Sequence, residues 1–234
     1  NPLGMSPKAR EVILKSIDEI YRYPDGNAFK LKNAVSHKFN LNPDGLIFGN
    51  GSIDILELTE RTFLKVGDEV IFSQHAFAVY SLVTQAMGAI GVKVPAYNFS
   101  HDLSKMFDAI TSKTKMIFIA NPNNPTGAVY PRAVIEGIVR LAERRGLVLL
   151  CDEIYDQITY DGAEFVPVAP LVRDTVCVSM SGLSKVYRAC GYRVGWAVVS
   201  GKLKAAGDFL AALELLASLR LCSNVPGQWA VQTA

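Results

Sequence analysis

Residues 115–127 read KMIFIANPNNPTG, an unbroken apolar run followed at once by a polar loop with two prolines. The run does not alternate with polar residues, which is typical of a short strand buried on both faces. The loop cannot be helical, because each proline biases the residue before it away from the α region. A buried strand that ends in a polar loop is the unit from which we predict the fold.

The same unit recurs after residue 45, where short apolar runs alternate with longer amphipathic ones. The predicted strands are 46–49, 68–73, 91–96, 115–120, 147–151, 175–180 and 193–199. The predicted helices between them are 52–65, 77–88, 102–110, 131–145 and 201–221. This alternation predicts an α/β fold with a mainly parallel sheet and helices on both of its faces.

Residues 1–45 precede this alternation and carry two helical patterns, near 7–20 and 28–40. We therefore divide the chain into an N-terminal helical segment, 1–45, and a large domain, 46–234. The sequence opens without Met and stops at Gln232-Thr233-Ala234 inside a helical pattern. We accordingly expect a fragment of a longer protein.

The composition excludes several classes of protein. With 234 residues, half of them hydrophobic and 20% charged, the chain is in the globular range. Its formal net charge of +2 gives no field that would attract nucleic acid or an anionic membrane. Apolar runs such as 147–151 are too short to span a bilayer. The four cysteines lack the spacing of a metal site, so we expect no metal and reduced thiols in the cytoplasm.

Ligands of such sheets bind beyond the carboxyl ends of the strands. Four polar loops follow predicted strands there, namely Gly49-Asn50-Gly51-Ser52, 121–127, Asp152-Glu153 and Ser181-Gly182-Leu183-Ser184-Lys185. Four polar loops on one edge of the sheet predict a single site.

Two of these loops, with Arg193, suit an aldehyde that carries a phosphate. The glycines before helix 52–65 leave its first N–H groups free for an anion, although Ser52 could instead simply cap the helix. The guanidinium of Arg193 fits a phosphate, and its alternative is a surface ion pair. The amine of Lys185 can condense with an aldehyde, and its alternative is a solvated loop lysine.

Three further side chains suit an aromatic ring that bears a nitrogen and an oxygen. Asp152 could face a protonated pyridine nitrogen, or could be a capping or turn carboxylate. Asn124 could donate to a phenolate oxygen, or could form a turn. Tyr155 could donate to the same oxygen, or could be a core tyrosine. Together with the loops above, these groups are complementary to pyridoxal 5′-phosphate.

The motifs Asn-Asn-Pro-Thr-Gly (123–127), Asp-Glu-Ile-Tyr (152–155), Ser184-Lys185 and Arg-Val-Gly (193–195) occur in this order. On these motifs the chain resembles the fold-type I aminotransferases of class I/II over essentially its whole length. The resemblance implies that Lys185 bonds to the cofactor and moves a proton, that Asp152 faces the ring nitrogen, and that Asn124 and Tyr155 face the ring oxygen. It assigns the phosphate to Arg193, Ser184 and the backbone of Gly51, Ser52 and Ile53.

The resemblance also implies how the ring is covered and how subunits meet. Phe77, in the segment 76–80, resembles the aromatic residue that stacks on the ring. Tyr23, in Arg22-Tyr23-Pro24-Asp25-Gly26, resembles a tyrosine that reaches the phosphate of a neighbouring subunit, which implies a homodimer. Two positions depart from the family pattern: Ile53 replaces a polar residue, and Gly182 stands where many relatives have Ser or Thr.

The two halves resemble different subfamilies. Residues 1 to about 150 resemble histidinol-phosphate aminotransferase, and 152–234 resemble a bacterial alanine aminotransferase. The resemblance implies transfer of an amino group between an amino acid or amine and a 2-oxo acid, of the histidinol-phosphate type or, alternatively, the alanine type. A lyase or decarboxylase on the same scaffold, and an inactive fragment, stay open. A small C-terminal domain, with the arginine for the substrate carboxylate, would follow residue 234.

Overall fold

The computed structural model describes residues 2–203 and 206–232, and within them one seven-stranded sheet carries the fold. Its strands are β1 (Leu46–Gly49), β2 (Glu69–Ser73), β3 (Ile90–Val94), β4 (Thr114–Ala120), β5 (Val148–Asp152), β6 (Val176–Gly182) and β7 (Gly195–Gly201). Their spatial order is β1-β7-β6-β5-β4-β2-β3. Only β7 runs antiparallel to its neighbours among these strands, so the prediction of a mainly parallel sheet is confirmed.

Helices lie before, between and after the strands. They are α1 (Pro7–Ser16), α2 (Phe29–Phe39), α3 (Ser52–Phe63), α4 (Ala78–Ala86), α5 (Leu103–Asp108), α6 (Arg132–Arg145), α7 (Gly207–Leu219) and α8 (Val225–Val231). The N-terminal helices do not stand apart from the rest, because α1 packs on α8 while α2 contacts both β1 and α8. The division into 1–45 and 46–234 stays a prediction.

The central strands are buried on both faces, as their apolar runs predict. In β4, Met116 and Phe118 face a cluster with side chains of α3, α4 and α7. Ile117 and Ile119 face the opposite cluster, with side chains of α5 and α6. Burying a side chain of this size contributes about 1.5–3 kcal/mol, so the two layers hold the sheet from both sides.

Four expectations about the elements need correction. The predicted strand 91–96 corresponds to β3, which is the outermost strand next to β2 and is largely exposed rather than buried. The predicted helix 201–221 corresponds to α7, which begins at Gly207, while Gly201 pairs with Val176 as the end of β7 and residues 204 and 205 lie outside the described residues. The helix near 7–20 tightens into a 3-10 turn after Ser16. The last strand begins at Gly195 rather than 193.

The helical pattern at the C-terminus corresponds to α8, which ends at Val231. Thr233 and Ala234, which belong to the same predicted pattern, lie outside the described residues. Across residues 2–203 and 206–232 no helix combines the length and the hydropathy needed to cross a membrane.

Candidate active site

The topology gathers the four predicted loops at one edge of the sheet. Strands β1, β4, β5 and β6 share a direction, so the loops after them leave from the same edge. Strand β7 runs the other way and begins there, directly after Arg193 and Val194. The edge therefore combines the N-terminus of α3, the loop 121–127, Asp152, Lys185 and Arg193.

Arg193 lies across the start of α3. Its Nη2 donates to the carbonyl of Asn50 at 3.3 Å, and its Nη1 donates to Ser184 Oγ at 3.4 Å and to the carbonyl of Cys190 at 2.9 Å. A Cβ added to Gly51 would lie 2.2 Å from Arg193 Nη2. A side chain here would displace the guanidinium from the helix start, and the φ of +89° favours glycine at this position.

Two alternatives for this region were a helix cap at Ser52 and a surface ion pair at Arg193, and both are wrong. Ser52 is the first helical residue rather than the cap, since Gly51 occupies the N-cap position and no side chain caps the helix. Arg193 contacts two carbonyls and a hydroxyl, and among the described residues it forms no ion pair. An uncapped helix N-terminus next to a guanidinium is a favourable place for an anion.

A second layer of contacts, which the sequence did not reveal, holds this helix start in place. Asp54 Oδ2 accepts the N–H of Asn50 at 2.7 Å and pairs with Arg220 Nε at 2.9 Å. Asn50 Oδ1 accepts the N–H of Asn224 at 2.7 Å. The segment between α7 and α8 thus fixes the turn before α3. Asp54, an acidic residue in the first turn of α3, was the feature of the sequence that could have indicated this contact. Its partner Arg220, however, lies 166 residues further along the chain.

Asp152 ends β5 and is only 8% exposed. Burial raises the pKa of its carboxyl group, while three neighbours favour the charged form. The Tyr80 hydroxyl donates to Oδ2 at 2.7 Å, the N–H of Ile154 donates to Oδ1 at 3.4 Å, and Lys185 contributes its positive charge. The turn interpretation of Asp152 is correct in part, through Ile154, but Tyr80 was not predicted as a site residue.

Lys185 and Tyr155 lie near this carboxylate. The Nζ of Lys185 is 5.4 Å from the centroid of the Tyr155 ring. Lys185 is exposed, as the alternative of a solvated loop lysine describes, whereas Tyr155 is half-buried and is not a core tyrosine. The structure therefore brings together an amine, a phenol and a buried carboxylate.

Loop 121–127 is held by Asn123 rather than by Asn124. Asn123 Nδ2 donates to the carbonyl of His75 at 3.0 Å, and its Oδ1 accepts from the Thr126 hydroxyl at 2.8 Å. Asn123 thus provides the turn contacts that were an alternative for Asn124, whose side chain is half-buried. Phe77 is the N-cap residue of α4, and its ring meets that of Tyr80 edge to face at 5.9 Å.

Tyr23 and Ile53 are two predicted site residues with exposed hydrophobic side chains. Tyr23 is 85% exposed and lines a cleft with Trp229 and Gln232. Its contact with a neighbouring subunit stays a prediction. Ile53 is 40% exposed in the first turn of α3, where only its backbone was expected to be used.

The glycine at position 182 has a steric reason. A Cβ there would lie 2.8 Å from the carbonyl of Val194 and 3.1 Å from the Cα of Gly195. Serine or threonine, which the resemblance led us to expect at this position, would meet the backbone where β7 begins. Ser184 is then the hydroxyl that this loop offers next to Arg193.

Comparison with known proteins agrees with this geometry. The sequence profile described as "Aminotransferase class I and II" matches residues 1–234. A histidinol-phosphate aminotransferase from Methylobacillus flagellatus is 50% identical over 203 residues, which are 86% of this chain and 54% of that protein. An alanine aminotransferase from Mycobacterium bovis is 34% identical and aligns with 100% of this chain and 58% of its own length.

Solved structures show the same fold. An aminotransferase from Escherichia coli superposes with a TM-score of 0.93 and 32% identity, covering 99% of this chain and 60% of that one. The chain spans about half the length of the curated relatives it matches. It belongs to the class I and II aminotransferase family, and both subfamilies that its motifs resemble occur among its relatives.

Proposed function

We propose that this chain provides the cofactor site of a pyridoxal 5′-phosphate-dependent aminotransferase, which moves an amino group between an amino acid or amine and a 2-oxo acid. The observation that carries the proposal is the common edge of the sheet. There a buried carboxylate, an amine and an arginine-crossed helix N-terminus lie together. Family membership supports the same reaction class.

The residues fit this cofactor at each of its polar groups. Arg193, Ser184 and the N–H groups of Gly51, Ser52 and Ile53 suit a phosphate, because they combine a fixed cation with an uncapped helix start. Asp152 suits a protonated ring nitrogen. A buried carboxylate with hydrogen bonds to its charged form is the partner that such a cation needs.

When bound, the pyridoxal ring supplies an electron sink for the charge that develops at the substrate Cα. Lys185 would bond to the cofactor aldehyde with loss of water, and its amine would be set free when the substrate amine takes its place. The free amine would then take and return the proton at the substrate Cα as general base and acid. Asp152 keeps the ring nitrogen protonated. Asn124 and Tyr155 donate to the ring oxygen, and Phe77 covers one face of the ring and excludes water.

The substrate we propose is histidinol phosphate with a 2-oxo acid partner. Support comes from the Methylobacillus relative, which is 50% identical. The second candidate is alanine, which is supported by a relative that aligns with the whole chain, including 204–234. A lyase or decarboxylase would use the same residues, so the assay must include release of carbon dioxide as a readout.

We propose the homodimer and the cytoplasmic location in the same way. Tyr23 is exposed within one chain and so is free to contact a second one. The cysteines Cys151, Cys177, Cys190 and Cys222 are free thiols, as in a reducing compartment.

Covalent trapping tests the proposal. The purified chain is incubated with pyridoxal 5′-phosphate, reduced with borohydride and mapped by mass spectrometry, with Lys185→Ala as the control. We expect the label on Lys185 and none at this site in the variant. A label spread over other lysines would reject the proposed site. Amino transfer from histidinol phosphate and from alanine is then compared, and whichever is faster identifies the subfamily.

A further inference from the structure

The first turn of α4 connects two residues of the proposed cofactor site. Phe77 precedes the helix as its N-cap, and the N–H of Tyr80 donates to the carbonyl of Phe77 at 3.1 Å. The two rings meet edge to face at 5.9 Å. The side chain proposed to cover the cofactor ring is thus directly linked to the hydroxyl that contacts Asp152.

Tyr80 is held so firmly that its hydroxyl has little freedom. It is 1% exposed, and its ring stacks on Phe118 of β4 with centroids 4.6 Å apart and an interplanar angle of 5°. Phe118 itself is buried in the same core cluster. The stacked pair fixes the direction in which the hydroxyl points, which is toward Asp152 Oδ2 at 2.7 Å.

The Tyr80 hydroxyl remains a hydrogen-bond donor at neutral pH. Burial, and after it the charge and hydrogen bond of Asp152, raise the pKa of Tyr80 well above its ordinary value. Tyr80 therefore stays protonated, and its proton belongs to the hydrogen bond. A short bond from a neutral hydroxyl to a carboxylate favours the charged form of that carboxylate.

We propose that Tyr80 is a positioning residue for Asp152, which holds this buried carboxylate charged and oriented toward the ring nitrogen of the cofactor. The inference rests on the proposed function and gives a role to a residue that was not among the predicted site residues, although it closes the segment 76–80 that contains Phe77. Tyr80 acts through Asp152 and does not itself touch the cofactor.

Several titratable groups surround the pair and must be held constant in a test. Cys151 lies on β5 and Glu153 lies in the turn after it. Lys185 lies in the loop after β6, and Tyr130 lies next to Tyr80. Burial raises the pKa of Glu153 to about 7, so this group titrates near neutrality and must be distinguished from Asp152.

The substitution Tyr80→Phe keeps the ring and its stacking on Phe118 but removes the donor. The matched control is Thr84→Val, one turn further along α4. It removes a buried hydroxyl that donates to Glu60 Oε1 at 3.3 Å, away from the proposed site. Both variants therefore lose one hydroxyl–carboxylate hydrogen bond from the same helix.

The first measurement needs no cofactor. The titration of Asp152 is followed by carbon-13 NMR of aspartate-labelled protein, with the signal assigned by Asp152→Asn. We expect Tyr80→Phe to move the midpoint upward by about one pH unit, a tenfold change in proton affinity, while Thr84→Val leaves it in place. An unchanged midpoint in a folded Tyr80→Phe protein would overturn the inference.

The second measurement is the affinity for pyridoxal 5′-phosphate as a function of pH, read from the absorbance of the bound cofactor. We expect Tyr80→Phe to weaken binding about tenfold and to move the acid-side loss of affinity to higher pH. If the parent chain binds and Tyr80→Phe behaves like Thr84→Val, the positioning role is rejected and the proposed function stands. If the parent chain does not bind, the proposed function itself fails.

Discussion

Two buried carboxylates, Asp152 and Glu60, each accept a hydrogen bond from a hydroxyl of α4, yet their surroundings differ. Asp152 accepts from Tyr80 at 2.7 Å and also from the N–H of Ile154, with the charge of Lys185 nearby. Glu60 accepts from Thr84 at 3.3 Å, and its Oε2 has no hydrogen-bond partner among the described residues.

Burial acts on both groups in the same direction, but three partners favour the charged form of Asp152 and a single one, Thr84, favours that of Glu60. Desolvation raises the pKa of Glu60 to about 8, against which the Thr84 contact is a small effect. Glu60 is therefore mostly protonated at neutral pH. Asp152 has three groups that favour its anion and lies at the carboxyl ends of the strands, where we propose the cofactor site. Burial alone does not identify a functional carboxylate; its partners do.

The largest effect expected from this comparison concerns amino transfer. Asp152→Asn removes a charge with little change in shape, and we expect a loss of at least about 100-fold in rate, roughly 3 kcal/mol. Glu60→Gln is the same acid-to-amide substitution, but Glu60 is mostly protonated at neutral pH and so loses no charge. We therefore expect a rate within about twofold of the parent. Both rates are measured at pH 7 with the preferred amino donor.

The outcome that would contradict the comparison is specific. A loss of less than about tenfold in Asp152→Asn would make Asp152 a structural turn residue, as its contact with Ile154 alone would suggest. A loss in Glu60→Gln equal to that in Asp152→Asn would mean that Glu60 is charged and acts on the site. Circular dichroism of each variant confirms that the fold is retained.

The local patterns of the sequence were sufficient for much of the site. Lys185, Asp152, Arg193 and the glycine turn before α3 each stand at a strand end or helix start, and the parallel topology then brings these ends together. Tyr80 was not predicted, because its role depends on a hydroxyl reaching a strand 72 residues away along the chain.

Strand order and burial could not be predicted from the sequence for the same reason, because both depend on contacts between residues that are far apart along the chain. An apolar run predicts a strand, but it does not say whether that strand is central or lies at the edge. Among the described strands, β3 pairs with β2 alone, and its side chains are largely exposed on the faces of the sheet. Gly201 reads as a helix start, but it pairs with Val176, a contact that only the folded sheet creates.

A medium effect is expected on stability as the pH changes. Because the pKa of Glu60 is raised to about 8, the folded chain keeps a proton that the unfolded chain loses near 4.5. The unfolded state then binds fewer protons, so the free energy of unfolding falls as the pH rises from about 4.5 to 8 and is level above that.

Glu60→Gln removes this dependence. We expect the difference in unfolding free energy between parent and variant to shift by about 2 kcal/mol or more in favour of the variant from pH 5 to pH 8. Urea denaturation at three pH values measures this difference. The pKa values of Asp152, Glu153 and Asp156 are also raised, but their contributions are the same in parent and variant and cancel in the comparison. A difference that does not change with pH would mean that Glu60 titrates normally.

The smallest effect is expected from Thr84→Val, which removes the hydrogen bond that the Glu60 side chain accepts among the described residues. Because Glu60 is neutral near pH 7, this bond joins two uncharged groups, and its loss costs about 1 kcal/mol of unfolding free energy. The affinity for pyridoxal 5′-phosphate should stay within about twofold of the parent, since Thr84 contacts α3 and not the sheet edge. Urea denaturation and a cofactor titration on the same preparation give both quantities. If Thr84→Val weakens cofactor binding as much as Tyr80→Phe, α4 transmits any perturbation along its length, and the distinction between the two carboxylates is wrong.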